Sequence, residues 1–181
     1  MALKRDQLFE VFERIGAALQ RPATLCLIGS APAILAGQPE RQTTDIDVWR
    51  PHSLYDEGDL ARACRAADVL FDPKGEIDPD TVYLQIVTPG IVALPPGFER
   101  EELGKFGNLT IVMPPPEVIA ASKTLRFSDV DLADIVWWFK ARALQMKNVE
   151  AEVRKLKKPK SELEDAAANL TVVQVLLGKG G

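Results

Sequence analysis

The pattern of apolar and polar residues changes its period several times along the chain, and each change marks a predicted element. Near the start, apolar residues recur every three or four positions, which predicts an amphipathic helix. Short apolar runs bounded by Gly, Pro or charged residues predict strands. The predicted helices of this part are 4–20, 31–37 and 53–67, and the predicted strands are 24–29, 44–49, 81–87 and 108–113.

Two further patterns concern where elements begin and end. Ser53 is followed by Asp56, a spacing that predicts a capping box at the start of the third helix. The Pro- and Gly-rich stretch 88–107 predicts a loop. From residue 114 onward the pattern is helical, and Pro159 predicts an interruption, so the segment KKPK is the best candidate for a hinge.

This order of elements predicts an α+β fold. Residues 1–113 are expected to form a small mixed β-sheet core flanked by helices. Residues 114–181 are expected to form a helical C-terminal region that packs on this core. A chain of 181 residues is long enough for one core with a helical extension.

Composition and charge narrow the possible classes. With 46% hydrophobic and 27% charged residues, the chain is typical of a globular protein rather than a disordered one. No apolar run is long enough to span a membrane, and the N-terminal sequence lacks the apolar core of a signal peptide, so we expect a cytoplasmic protein without a membrane partner. Cys26 and Cys64 are then expected to be reduced, and with one histidine, His52, a zinc site is improbable.

The net charge of −4 is unevenly distributed. Residues 140–160 contain eight Lys or Arg and two Glu. Such a basic segment can bind a polyanion or an acidic partner, although a solvated helix surface is the slightly favoured interpretation.

The strand that contains Asp45 and Asp47 carries the first chemical signal. Alternate residues of a strand point to the same face, so these two carboxylates are expected to lie side by side, about 6.6 Å apart along the strand. Ile46 turns to the opposite face. Two neighbouring carboxylates suit Mg²⁺, which prefers oxygen ligands and often leaves several positions for water and substrate phosphates.

The second signal is the turn LIGSAPA, in which a buried strand passes through Gly29 and Ser30 into a predicted helix. Free backbone N–H groups at such a turn favour a phosphate, and the Ser30 hydroxyl can donate to a phosphate oxygen. Each signal alone is weak. Together, a phosphate-binding turn and a magnesium-binding strand predict a site for a nucleoside triphosphate.

The segment GSAPAILAGQPERQTTDIDVW resembles the signature of the polymerase-beta-type nucleotidyltransferase superfamily. Its Arg41-x-Thr43-x-Asp45-Ile-Asp47 form is particularly similar to abortive-infection toxins of the AbiEii type and to small relatives of them. The later segment VIAASKTLRFSDVDLADIVWW resembles the helical motif that returns to the nucleotide in those proteins. The resemblance covers residues 20–140.

The resemblance implies a mechanism and a set of residues. Asp45 and Asp47 would be catalytic and hold Mg²⁺, while a nucleoside monophosphate is transferred from a triphosphate to a hydroxyl of an RNA or a protein. The chain could be the toxin of a toxin–antitoxin pair, with a cognate antitoxin as partner. The residues implied to bind the nucleotide are Gly29, Ser30, Arg41, Thr43, Lys123 and Asp134. Lys123 is implied to have a catalytic role as well.

One position departs from the superfamily pattern. Members usually carry a third carboxylate on the following strand, and the matching position here is Gln85. An amide cannot act as a base and is a poorer magnesium ligand. The acid would have to come from Asp78, Asp80 or Asp134, or the enzyme is slow, or the protein binds a nucleotide or a partner without turnover.

Two alternatives stay open from the sequence. Asp131 lies three residues after Ser128, so a helix cap explains it as well as a functional role does. A third class of function, a partner-binding protein that uses the basic C-terminal helices, is motivated by residues 140–160.

Overall fold

The computed structural model describes residues 2–178 and divides into two compact units. The first unit contains the chain up to Thr88 together with Arg100–Met113. The second contains Pro89–Glu99 and the chain from Pro114 onward. Small mixed sheets flanked by helices, followed by C-terminal helices, confirm the predicted α+β class.

Within residues 2–178, the first unit contains three α-helices, a 3₁₀ turn and six strands. In chain order they are α1 Arg5–Ala18, β1 Ala23–Cys26, α2 Ala31–Leu35, β2 Asp45–Trp49, the 3₁₀ turn Arg50–His52, α3 Glu57–Ala66, β3 Leu70–Phe71, β4 Tyr83–Val87, β5 Glu101–Phe106 and β6 Leu109–Met113.

The strands form two sheets of three strands each. One has the order β1-β6-β5, with β1 parallel and β5 antiparallel to β6. The other has the order β2-β4-β3 and is parallel throughout. Beyond the end of β1, an isolated bridge between Leu27 and Val48 connects the chain to β2. This connection places the segment after β1 directly beside β2.

The core of the first unit forms because each element buries one apolar face. The apolar stripe of α1 contributes Leu8, Phe12 and Ile15, all fully buried. The inner faces of β2 and β4 contribute Ile46 and Leu84, also fully buried. Burying such a side chain stabilises the fold by roughly 1.5–3 kcal/mol, so this shared core fixes the position of β2 and of its outward-facing residues.

The described part of the second unit contains four helices: α4 Pro116–Arg126, α5 Asp129–Ala141, α6 Met146–Lys155 and α7 Lys160–Gly178. Their buried faces pack together, with Ile135, Val149 and Leu170 among the core residues. The predicted interruption around Pro159 is confirmed as the break between α6 and α7. Among the described residues, no helix is long and apolar enough to cross a membrane.

The predicted capping box at Ser53 is wrong. Ser53 is extended and buried, and its hydroxyl accepts from the Cys26 amide (2.9 Å) and donates to the Trp49 carbonyl (2.8 Å). The helix begins later, where Asp56 caps it by accepting from the Asp59 amide (2.9 Å). Tertiary contacts with β1 therefore hold Ser53 outside the helix.

The sequence also failed to predict β5 within the expected loop 88–107. This strand, EELGKF, contains three charged residues and a glycine, so its apolar periodicity is weak. It forms because β6 offers an edge and Gly107, at φ +57°, permits the tight turn between them. An edge strand rich in charge is also protected against pairing with another chain.

Candidate functional site

The turn after β1 lies directly against the aspartate strand. The Ile28 amide donates to the Asp47 carbonyl (2.9 Å), which holds the turn on β2. Gly29 follows with φ +70°, and a Cβ placed on it would lie 2.5 Å from Asp47 Oδ2. Only glycine fits both the backbone conformation and this close approach. The two halves of the predicted site, Gly29 and Asp47, are therefore brought together.

A chain of hydrogen bonds connects Ser30 to Asp45. Ser30 Oγ donates to Thr43 Oγ1 (3.1 Å), and the Thr43 hydroxyl donates to the Asp45 carboxylate. Thr43 is buried, and its backbone pairs with Leu3 through the bonds Leu3 N to Thr43 O (2.6 Å) and Thr43 N to Leu3 O (3.1 Å). This fixed hydroxyl orients the Asp45 carboxylate, and thus Ser30, Thr43 and Asp45 also belong to one site.

The helix after this turn, α2, has only five residues. A helix this short contributes little macrodipole, so the predicted affinity for phosphate depends on the Gly29 backbone and the Ser30 hydroxyl. Ser30 stands at the N-cap position without a side-chain capping bond, and its hydroxyl is directed to Thr43 instead. Arg41 is half-buried in the loop that leads to β2, two residues before Thr43.

The outward face of β2 continues onto β4. Asp45 and Asp47 are half-buried, whereas Ile46 and Val48 are fully buried on the other face, as the alternation predicts. In the parallel register Asp45 is paired with Tyr83 and Asp47 with Gln85. Paired residues of parallel strands point to the same face, so the Gln85 amide lies beside Asp47 at the position where a third carboxylate was expected.

Tyr83 is a site residue that the sequence reasoning missed. Burial raises the pKa of its phenol, and the charges of Asp45 and Asp47 raise it further. The hydroxyl therefore stays protonated at neutral pH. The signal was present in the sequence, because Tyr83 precedes Gln85 by two positions and must share its face.

Lys123, Asp131 and Asp134 belong to the second unit. Lys123 Nζ lies 2.9 Å from Asp134 Oδ2 and 3.3 Å from Asp131 Oδ1, and both carboxylates are almost fully buried. Arg126 donates two hydrogen bonds to Asp131, at 2.6 and 2.7 Å. In this structure Lys123 therefore has carboxylate partners within its own unit.

Asp131 also closes a capping box at the start of α5. Its amide donates to Ser128 Oγ (3.2 Å), and its carboxylate accepts from the Ser128 amide (3.2 Å). Burial by itself would raise the pKa of Asp131, but hydrogen bonds from Arg126 and Ser128 and the charge of Lys123 hold it well below its usual range. The capping interpretation of Asp131 is thus confirmed.

The alternative acids Asp78 and Asp80 and the other reactive side chains lie outside β2 and the Gly29 turn. Asp78 and Asp80 are on the exposed segment before β4, where Asp78 Oδ1 accepts from the Asp80 amide (2.9 Å). His52 has a pKa lowered by burial and by the charge of Arg100. Cys26 and Cys64 are buried free thiols, and burial raises the pKa of each to about 12, which makes them unreactive.

The basic segment 140–160 is partly neutralised. Within or next to it, four cations lie near glutamates on the helix surface: Arg154 near Glu150, Lys155 near Glu152, Lys158 near Glu162 and Lys160 near Glu164. Alternating charges of this kind are typical of a solvated helix surface, so the segment offers less free positive charge than its composition suggests.

The donor set at β2 fits a magnesium ion that takes part of its coordination from the protein. Asp45 and Asp47 supply two carboxylates on one face, and the Thr43 hydroxyl orients the first of them. Within residues 2–178 no group of three or more His, Cys, Asp or Glu side chains could hold a metal ion. Mg²⁺ accepts such a site, because substrate phosphates and water commonly complete its octahedron.

The comparisons with known proteins concern the family and the fold of the chain. The family described as "Nucleotidyltransferase of unknown function (DUF6036)" matches residues 6–172, which is most of the chain. The chain belongs to this family. The match includes the Gly29 turn and β2, and it ends within α7. It therefore covers residues of both units of this nucleotidyltransferase family member.

A solved structure shares the fold. It is the crystal structure of an antigenic nucleotidyltransferase-like protein from Paracoccidioides brasiliensis, with a TM-score of 0.54 and 16% sequence identity. The similarity covers 99% of this chain and 94% of the other. No curated protein matches the sequence.

Proposed function

We propose that this member of the family is a magnesium-dependent nucleotidyltransferase that transfers a nucleoside monophosphate from a triphosphate to a hydroxyl group. The observation that carries the proposal is the contact between Gly29 and Asp47, where a Cβ would approach the carboxylate oxygen to 2.5 Å. That contact puts the Gly-Ser turn at the start of a helix beside two carboxylates, the first of which the Thr43 hydroxyl orients. A triphosphate and its metal need these two features at one place.

Residues of the first unit would have two separate roles, metal binding and phosphate binding. Asp45 and Asp47 would hold Mg²⁺, and Thr43 keeps Asp45 in position through its hydroxyl. When bound, the ion would neutralise charge on the phosphate oxygens. The Gly29 backbone allows the phosphates to approach closely, and the Ser30 hydroxyl can turn from Thr43 to donate to a phosphate oxygen.

Transfer forms a bond between the acceptor oxygen and the α-phosphorus and breaks the bond to the leaving pyrophosphate. Because Gln85 stands beside Asp47, no carboxylate at that position can take the proton of the acceptor hydroxyl. The proton would pass to solvent, which predicts a slow enzyme.

The proposal also includes nucleotide contacts by Arg41, Lys123 and Asp134.

The resemblance of the Arg41 to Asp47 segment to AbiEii-type toxins supports a narrower proposal. The protein would be the toxin of a toxin–antitoxin pair, modify an RNA or a protein, and be held inactive by a cognate antitoxin. Co-expression with a neighbouring small reading frame tests this: rescue of growth is expected, and a protein that does not impair growth when expressed alone contradicts the toxin role.

The transfer reaction is tested with labelled nucleoside triphosphates, Mg²⁺ and cell extract. We expect label on a macromolecule with the wild type and a loss of at least about a hundredfold with Asp47→Asn, the order of effect seen when a group that stabilises transition-state charge is removed. Asp68→Asn is the matched control, because Asp68 lies in the same unit with its side chain 93% exposed. Equal labelling by wild type and Asp47→Asn would contradict the proposal.

The alternative function is nucleotide binding without turnover, and Gln85 beside Asp47 is the observation that favours it. Calorimetric titration with ATP and GTP, with and without Mg²⁺, separates the two. Magnesium-dependent binding that Asp47→Asn abolishes, combined with no transfer to any acceptor, supports the binding protein. Transfer that depends on Asp47 excludes it.

A further inference from the structure

Tyr83 on β4 places a hydroxyl group next to the two proposed metal ligands. In the parallel register Tyr83 is paired with Asp45, and Gln85, which shares its face, is paired with Asp47. The charges of Asp45 and Asp47 both raise the pKa of the Tyr83 phenol, so the ring lies within electrostatic reach of both carboxylates. Tyr83 is half-buried, and part of its side chain is therefore open to a ligand that binds at the carboxylates.

The Gly29 turn and Tyr83 lie on opposite edges of β2. The Ile28 amide donates to the Asp47 carbonyl (2.9 Å), and an isolated bridge forms on the same side, so the chain that enters the turn occupies one edge of the strand. A strand has two edges, and β4 occupies the other. A triphosphate held at the turn and at the aspartate pair would therefore have Tyr83 on the side away from the turn.

In-line transfer requires this order of groups. The attacking oxygen and the leaving pyrophosphate lie on opposite sides of the α-phosphorus. With the pyrophosphate at Gly29 and Ser30, the attacking hydroxyl comes from the side of β4. Neighbouring strands are about 4.8 Å apart, and a tyrosine side chain is longer than an aspartate. The Tyr83 oxygen can therefore extend past the Asp45 carboxylate to the side where the substrate would bind.

We infer that the Tyr83 hydroxyl is itself an acceptor, and that the chain transfers a nucleoside monophosphate to its own Tyr83. This inference rests on the proposed function and names an acceptor for it. The Tyr83 oxygen forms a bond to the α-phosphorus, the bond from the α-phosphorus to the bridging oxygen breaks, and pyrophosphate leaves. The transition state of such a transfer is loose, with little bond formation to the nucleophile, so a protonated phenol can attack and release its proton to solvent.

Intact-mass spectrometry of the purified full chain tests the inference without any added acceptor. The protein is incubated with Mg²⁺ and each of the common nucleoside triphosphates in turn. We expect the mass to rise by a single nucleoside monophosphate with at least one of them. The tryptic peptide 75–100 contains Tyr83, with Thr81 and Thr88 as its other hydroxyl side chains. Fragmentation of this peptide should place the nucleotide on Tyr83.

Matched variants separate the acceptor role of Tyr83 from a role in folding or binding. Within residues 2–178 the Tyr83 hydroxyl forms no hydrogen bond, so Tyr83→Phe should keep the fold and change the calorimetric affinity for nucleotide by less than about twofold. It should nevertheless abolish the mass increase. The control is Tyr55→Phe, because the Tyr55 ring lies over the Arg50 guanidinium (4.9 Å to the ring centroid). This variant should be modified like the wild type. Asp47→Asn should slow modification by at least about a hundredfold.

A mixture of two variants tests whether transfer occurs within one chain. Asp47→Asn retains the acceptor without the proposed metal ligand, and Tyr83→Phe retains the metal ligand without the acceptor. The two chains differ in mass, so each is followed separately in one sample. We expect neither to be modified. A nucleotide on the Tyr83 of the Asp47→Asn chain would overturn transfer within one chain.

The outcomes distinguish the inference from the function on which it rests. Label on macromolecules of a cell extract, together with an unmodified Tyr83 in the purified protein, overturns the inference and leaves the nucleotidyltransferase. A mass increase in Tyr83→Phe equal to that of the wild type, or a nucleotide on Thr81 or Thr88 instead, has the same meaning. Absence of transfer to any acceptor, Tyr83 included, contradicts both.

Discussion

Two pairs of aspartates in this chain look alike in sequence and differ in their surroundings. Asp45 and Asp47 are half-buried on a strand of the first unit, where the Thr43 hydroxyl and the Gly29 turn adjoin them. Asp131 and Asp134 are almost fully buried in the second unit, where Lys123 lies within 3.3 Å of both. The first pair lies on the outward face of a strand, and the second is bonded to a lysine within its own unit.

This difference bears on what each pair can do. A buried carboxylate bonded to a lysine stabilises its own fold, and a ligand must first displace that lysine. Asp45 and Asp47 lie half-exposed on one face of a strand, where both carboxylates could contact the same bound cation. We therefore expect changes at the second pair to act first on stability and changes at the first pair to act first on ligand binding.

The largest expected effect is at Lys123. Lys123→Met leaves Asp131 and Asp134 buried without their shared cation, which should reduce the free energy of unfolding by about 3–5 kcal/mol. Urea unfolding measures this, and Lys147→Met on the exposed surface of α6 is the control. A stable Lys123→Met protein that has lost nucleotide binding would show instead that Lys123 acts on the nucleotide, as the resemblance implies.

The next effect is at Gly29. Gly29→Ala places a side chain in the left-handed backbone region and against the Asp47 carboxylate. The backbone strain should lower the free energy of unfolding by about 1–3 kcal/mol. The contact with Asp47 should in addition lower the affinity for nucleotide by at least about tenfold. Gly37→Ala is the control, because Gly37 has φ +100° and nothing within 4 Å of its Cβ position. Calorimetric titration compares the two variants. Equal losses of affinity in both would show that backbone strain, and not the contact with Asp47, matters.

The pH dependence of stability should reveal Asp131. Its folded-state pKa lies below the unfolded value of about 3.9, so its stabilisation is full above that value and is lost as the pH falls below it. The free energy of unfolding should decrease on acidification, with Asp131 contributing on the order of 2 kcal/mol. Urea unfolding between pH 3 and 7 should show a shallower acid loss in Asp131→Asn. Parallel curves for the two proteins would contradict this role.

The smallest effect is at the cap of α5. Ser128→Ala removes the hydroxyl that accepts from the Asp131 amide, which should cost about 1 kcal/mol of unfolding free energy. Thermal unfolding measures the loss, while magnesium-dependent nucleotide binding should stay unchanged, because Ser128 is not among the proposed nucleotide-binding residues. A larger effect on nucleotide affinity than on stability would remove the distinction between the two aspartate pairs.

Local signals predicted the element types where one apolar face was clear. The stripe of α1 and the alternation in β2 both follow from the period of their apolar residues. Prediction failed at Ser53 and at β5, where long-range partners decide the conformation. Ser53 is held by β1 through the Cys26 amide, and β5 depends on pairing with β6.

In the candidate site, too, local pattern predicted some features and long-range contacts decided others. The sequence contained the Gly-Ser turn, the two aspartates and the glutamine at the third position. It did not show that Tyr83 is paired with Asp45 on one side and with Leu70 on the other, because strand register depends on which strands become neighbours. Nor did it show that Lys123 lies between Asp131 and Asp134.

By itself the sequence determined which residues share a face, since side-chain direction follows from the local period of a strand or helix. It thereby placed Asp45 and Asp47 together and turned Ile46 away from them. Only the tertiary structure decided that Gly29 touches Asp47, that Thr43 orients Asp45 and that Gln85 stands beside the pair. These contacts join residues of separate segments, and only packing around the common core brings such segments to one place.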